Sequence, residues 1–205
     1  MSRGSVSTGM RQAKQPVSPL LAGPYGHPLH PLLVTVPIGS WLASLVFDVA
    51  SRFAAHPGFL AQGAEWLIGI GVVGALAAAA VGFLDLLAIA PGTPAFRTAI
   101  WHMSLNLVIT ATYTVNFAWR HEGYASGGPV PLGMLALSAA AFVALGVSGF
   151  LGGKLAYRYG VRVAGEDTQA EGFAPPADGT AGPPRPDPGR PATSRQASLP
   201  ARWAG

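Results

Sequence analysis

Four apolar runs, separated by short polar or Pro/Gly-rich stretches, organise this chain: residues 32–53, 64–89, 98–119 and 131–155. Crossing a hydrocarbon core of about 30 Å takes about 20 helical residues, and every run reaches that length. The connections are short, so consecutive helices are expected to pack antiparallel. The pattern predicts an all-α fold, an integral membrane four-helix bundle.

The polar positions inside these runs are not scattered. Residues three and four apart share a helix face, and His102, Asn106, Thr110 and Thr114 follow one another at steps of four. Ser40, Ser44 and Asp48 do the same in the first run. In the second, Gly74, Ala78 and Gly82 make a small-residue face leading to Asp85, and in the fourth Gly146, Gly149 and Gly153 lead toward Tyr157. Small-residue faces let membrane helices approach closely, and polar side chains at this depth turn into the bundle. The four stripes are expected to converge. No repeat of fixed period is evident, and no Gly-rich phosphate loop joins a strand to a helix.

The flanks differ from the runs. Residues 1–26 form a basic arm with Arg3, Arg11 and Lys14 and no acid, and residues 164–205 are dense in Pro, Gly and Ala with mixed charge. Such segments bury too little apolar surface to offset the entropy of ordering them. Disordered termini are therefore expected around a membrane domain at 27–163, with a cytoplasmic tail at 164–205. The first apolar run starts too far in, and is too long, for a cleavable signal peptide, so an uncleaved chain is expected.

Charge adds orientation. Half of the 205 residues are hydrophobic and 11% are charged, against about 25% in soluble domains, which points to a lipid bilayer. The 13 Lys and Arg against 9 Asp and Glu lie mostly in the two ends of the chain, a topology signal and not a nucleic-acid footprint. With four spans, Arg3, Arg11, Lys14, Arg97, Lys154, Arg158 and Arg162 share one side, whereas Arg52 and Arg120 face the other. Both termini are thus expected on the cytoplasmic side of the inner membrane. With no cysteine, disulfides, thiolate metal sites and Cys-ligated iron–sulfur clusters are excluded.

The topology gathers His27, His30, Asp85, His102, Asn106 and Tyr157 at the cytoplasmic end. Neutral imidazole is a common ligand of metals and haem iron. His27, His30 and His102 with Asp85 are therefore the metal-ligand candidates, and the same four with Asn106 and Tyr157 are the cofactor-binding candidates, the cofactor being haem b or a divalent metal. The alternative is structural: Pro28 and Pro31 shape a helix start, and His102 hydrogen-bonds to Asp85 or Asn106. Arg158 could meet a haem propionate or a lipid phosphate. At the opposite end Asp48 is expected to pair with Arg52 four residues on, the alternative being a proton path with Ser40 and Ser44. No nucleophile–base arrangement argues for hydrolysis.

Gly26-His27-Pro28-Leu29-His30-Pro31, Pro37-Ile38-Gly39 with Asp48, Gly82-Phe83-Leu84-Asp85, His102-Met103-Ser104-Leu105-Asn106, Gly152-Gly153-Lys154-Leu155-Ala156-Tyr157 and Gly160-Val161-Arg162-Val163 together resemble the bacterial membrane family catalogued as domain of unknown function 2231. The resemblance covers about 26–163. It implies a four-helix membrane domain without an agreed activity, with some members resembling partners of, or fusions to, Rieske-type iron–sulfur domains. It points to His27, His30, Asp85, His102 and Asn106 as the residues to test. Three functions stay open: a haem- or metal-binding redox component working with an iron–sulfur or other redox partner protein, a structural or assembly subunit, and a proton or ion pathway.

Overall fold

A computed structural model describes residues 10–14, 28–123, 127–171 and 173, and among these the regular structure is helical. The long helices are α1 (Leu29–Ser51), α2 (Pro57–Leu87), α3 (Pro94–Gly123) and α4 (Leu132–Gly153), the last running into a π-helical turn, Lys154–Arg158. A short helix, α5 (Glu166–Glu171), follows, and the chain divides into two units after Glu166. His27 and nearly all of the tail expected at 164–205 lie outside the described residues.

Each long helix packs against the next in the chain, and α1 also packs against α4. Proline sets several of the boundaries. Pro28 is the extended N-cap of α1 and Pro57 opens α2, positions where a missing N–H costs nothing. α2 therefore starts seven residues before the apolar run at 64 suggests. Residues 10–14, within the arm expected to be disordered, are helical, with Ala13 buried and its carbonyl accepting from Arg162 N–H at 3.0 Å.

α1, α2 and α4 with its π-helical turn are long and apolar enough to cross a membrane. α3 has the length, 30 residues, but is less apolar, because it carries His102, Asn106, Asn116 and Arg120 on its inner side. The threonines of its stripe do not bridge helices. Thr110 donates to Asn106 O and Thr114 to Thr110 O, each at 2.8 Å, the i−4 bond that hydroxyls form within a helix.

The centre of the unit has a regularity that no sequence period suggests. α1 and α3 meet through three side-chain pairs, His30 with His102, Trp41 with Tyr113 and Asp48 with Arg120, each separated by 72 positions. Their partners on α2 and α4 repeat at 70: Ala78 O and Ser148 O accept from the two histidines, and Ile68 O and Ser138 O accept from Trp41 and Tyr113. Gly63 lies against Phe47 as Gly133 lies against Trp119, again at offsets of 70 and 72. Equivalent residues touching each other is the signature of a local twofold axis, here running along the helices between α1 and α3. The α1–α2 and α3–α4 hairpins are two versions of one unit.

Candidate functional site

His30 occupies the second position of α1, and its ring reaches across to α2, where Nδ1 lies 2.9 Å from Ala78 O. A carbonyl can only accept, so Nδ1 carries the proton and Nε2 keeps its lone pair. His102, about two turns into α3, repeats this toward α4 with Nδ1 2.9 Å from Ser148 O and 3.1 Å from the Ser148 hydroxyl. Both rings need glycine beneath them. A Cβ at Gly82 would stand 2.8 Å from His30 Cε1, and one at Gly152 would stand 3.1 Å from His102 Cε1. In each hairpin the accepting carbonyl and the glycine are four residues apart, one turn of the same helix face.

The two imidazoles meet edge to face near the twofold axis, ring centroids 6.4 Å apart and planes at 81°. His30 Nε2 has no hydrogen bond among the described residues. Beside His102, the Asn106 amide donates to His102 O at 2.9 Å, while its nitrogen lies 3.2 Å from Nε2 and 3.4 Å from Nδ1. Near-equal distances to both ring nitrogens place the amide alongside the ring, with its shortest bond to the backbone.

Of the other candidates, Asp85 lies within electrostatic reach of His30 but makes its direct contact elsewhere. Asp85, three residues beyond Gly82, has Oδ1 3.1 Å from Arg162 Nε. Arg162 Nε is buried and lacks an aligned hydrogen-bond acceptor, so this contact is a charge pairing and not a directed bond. Tyr157 is 93% exposed and stands clear of the histidines. Among the described residues, no group of three or more His, Cys, Asp or Glu is arranged to hold a metal ion. His30, His102 and Asn106 converge; Asp85 is taken by Arg162, and His27 lies outside the described residues. Ser148 and Arg162 were not expected at this site. Their roles depend on a hairpin register and on a positive φ of 57° at Arg162, which the residue pattern does not show.

About 27 Å along the helices, at 1.5 Å per residue, lies a second polar centre. The expected Asp48–Arg52 pair is not what forms. Asp48 takes both prongs of Arg120, at 2.7 and 2.6 Å, with both side chains buried, and Arg52 instead donates to Val130 O at 3.1 Å. Successive turns of one helix leave Arg52 at the polar rim, whereas the twofold sets Arg120 directly across from Asp48. Arg120 Nε donates to Asn116 Oδ1 at 3.0 Å, and Asn116 donates to Ser138 Oγ at 2.8 Å and Met134 O at 3.1 Å. Ser51 donates to Asp48 O and accepts from Val130 N–H. The donors here are spent on fixed partners, the arrangement of a structural clamp. Between the centres, Trp41 stacks on Tyr113 at 4.1 Å, packed with Ile68 and Ile109.

The family described as Predicted membrane protein (DUF2231) matches residues 26–165, the span that contains both polar centres. The chain belongs to this family. No curated protein and no solved structure matches it. As a DUF2231 member it is a membrane protein, with three helices among the described residues that meet the length and apolarity of a span, and its family description names no ligand.

Proposed function

We propose that this DUF2231 protein is a redox or electron-transfer component of the inner membrane, in which His30 and His102 would hold haem b. The observation that carries the reading is the histidine pair itself. Two rings from different helices have centroids 6.4 Å apart, and Nδ1 of each is tied to a backbone carbonyl. Ligating histidines typically give their other ring N–H to a carbonyl or carboxylate, which fixes the tautomer and raises ligand basicity. Imidazoles whose nitrogens each stand about 2 Å from a shared ion have centroids roughly 6 Å apart. Sites of this kind are built in bundle cores from facing helices.

Haem is favoured over a bare divalent metal by ligand count. A zinc-like ion takes three or four protein ligands, and no such group occurs among the described residues. A porphyrin supplies four donors itself, so two imidazoles complete the iron. Bound there, it would supply one-electron chemistry. The chain's own residues hold the two lone pairs in place, Gly82 and Gly152 giving the rings room and Ser148 and Asn106 fixing His102.

All four long helices cross the bilayer in this reading. α3 turns Leu107, Val108, Val115 and Trp119 outward while burying Asn116 and Arg120, which lowers its mean hydropathy without exposing charge to lipid. Lys and Arg cluster at the histidine end, which supports a topology with both termini in the cytoplasm.

The test is an absorption spectrum with iron quantification on protein purified from membranes. The expected result is a Soret band at one haem per chain, lost in His30→Ala and in His102→Ala while each variant stays monodisperse. Absence of both a Soret band and stoichiometric metal from the wild type would overturn it.

A second reading is favoured by the same hydrogen bonds. Each histidine also clips one helix to its neighbour, as a structural or assembly subunit requires. In that case the alanine variants lose stability or complex formation and no cofactor. A proton path is opposed by geometry: Asp48 and Asp85 are each held by an arginine, and the Trp41–Tyr113 stack lies between the two ends.

A further inference from the structure

The histidine end of the unit carries a surface that neither the histidine pair nor the clamp uses. Residues 10–14 and the stretch after α4 are about 150 positions apart in sequence, yet they are pinned together. Arg162 N–H donates to Ala13 O at 3.0 Å. A Cβ at Gly160 would lie 3.5 Å from Lys14 Cε, so the lysine stem lies across that glycine. This docking sets Lys14 against Gly160, at the end of the segment that carries Lys154 and Arg158.

The π-helical turn Lys154–Arg158 shapes the surface. Tyr159 N–H bonds back five residues to Lys154 O, which adds a residue to the turn and shifts the faces that follow. Tyr157 and Arg158 emerge exposed, and Lys154 Nζ stands 5.7 Å from the Tyr159 ring centroid. Trp101 is also exposed, one residue before His102. The acid at this end of α2, Asp85, is paired with Arg162 and does not neutralise the outer cations. Exposed aromatic rings beside Lys and Arg that form no ion pair among the described residues, at the end of membrane-length helices, match the chemistry of the headgroup layer, where Trp and Tyr sit among polar groups and cations meet anionic lipid.

We infer that Lys14, Lys154 and Arg158 form a binding surface for the phosphate of anionic phospholipids, with Tyr157 inserted among the headgroups beside it. The surface explains why a five-residue helical segment of the basic arm is held against the membrane domain: it completes the charge cluster. It does not depend on any cofactor at the histidine pair.

The experiment uses the full-length protein in neutral detergent. Its thermal midpoint is followed as phosphatidylglycerol, phosphatidylcholine or inorganic phosphate is added, for the wild type, for Lys14→Gln, Lys154→Gln and Arg158→Gln singly, and for the triple variant. Phosphatidylglycerol is expected to raise the midpoint more than phosphatidylcholine, and its half-saturating concentration is expected to rise about fivefold for each charge removed. The phosphatidylcholine response should stay the same throughout, and the single variants keep the comparison valid if the triple variant does not fold. Equal responses to the two lipids would overturn the inference, as would an unchanged phosphatidylglycerol titration in the variants. Inorganic phosphate reproducing the whole shift would also overturn it, assigning a free-anion site instead.

Discussion

Asp48 and Arg120 meet across the interior as a two-pronged ion pair, 2.7 and 2.6 Å between oxygen and nitrogen, with both side chains buried. Fork-to-fork pairing of this kind fixes geometry as well as charge. It joins α1 to α3, and through Asn116 and Ser138 it reaches α4.

Removing one partner strands the other charge. Asp48→Asn or Arg120→Gln is expected to destabilise the protein by about 3–5 kcal/mol, read as a lower thermal midpoint in detergent. Replacing both, Asp48→Leu with Arg120→Met, should recover most of the loss, because a buried pair contributes little beyond what well-packed apolar groups supply. Single variants as stable as the wild type would show that the pair is solvated and not a clamp.

The twofold relation makes the two positions structurally equivalent, which permits a swap. Asp48→Arg combined with Arg120→Asp should be more stable than either single change. Recovery is expected to stop short of the wild type, because Asn116 and Ser138 line the α3–α4 side, whereas the matching positions on the other hairpin are Ser44 and Ile68. A double variant no better than the worse single would contradict the equivalence.

How much of this the sequence carries depends on which relationship is asked for. The four helices, the membrane setting and the sorting of polar residues to two ends follow from apolar run length, period and Lys/Arg placement, all local properties, and the family follows from the resemblance of its motifs. The pairing inside each end does not. Asp48 and Arg52 satisfy the i,i+4 rule, yet Arg120 wins because it enters from a facing helix at matching depth, a tertiary fact. The internal repeat hides for two reasons. Its offsets are 72 on one helix of each hairpin and 70 on the other, so no single period fits. Its equivalent residues also differ chemically, Trp41 with Tyr113 and Asp48 with Arg120, and besides a few Leu and Val the identities that survive include His30/His102, Gly63/Gly133 and Gly82/Gly152. Asn106 was legible by spacing, whereas Asp85 was drawn away by Arg162, whose position depends on a left-handed backbone.

The glycines beneath the histidines give a graded test. Gly82→Ala and Gly152→Ala each drive a methyl group into an imidazole, an overpacking cost of about 1–3 kcal/mol. The contact is closer at Gly82 than at Gly152, 2.8 against 3.1 Å, so Gly82→Ala is expected to have the larger effect on the thermal midpoint. If the proposed haem is present, both changes should also lower its occupancy, read from the Soret absorbance per chain. Gly39→Ala, where a Cβ would meet nothing within 4 Å, serves as the neutral comparison. Equal midpoints for all three would mean that the rings are not seated on these glycines.

Arg162 combines a strained backbone with a buried charge, and the two can be separated by substitution. Its φ of 57° lies in the left-handed region, where a Cβ costs roughly 1–2 kcal/mol and glycine does not bear that cost. Its guanidinium is the partner of Asp85. Arg162→Ala loses the pairing and keeps the strain, whereas Arg162→Gly loses the pairing and releases it. The glycine variant is therefore expected to be the more stable of the two, with both below the wild type. Asp85→Asn should weaken the same contact from the other side, and adding it to Arg162→Gly should cost little more, since the partner is already gone. Thermal midpoints of the four proteins decide the matter: full additivity of Asp85→Asn and Arg162→Gly would mean that the two residues do not act on each other, and that Arg162 holds its place through its backbone bond to Ala13 alone.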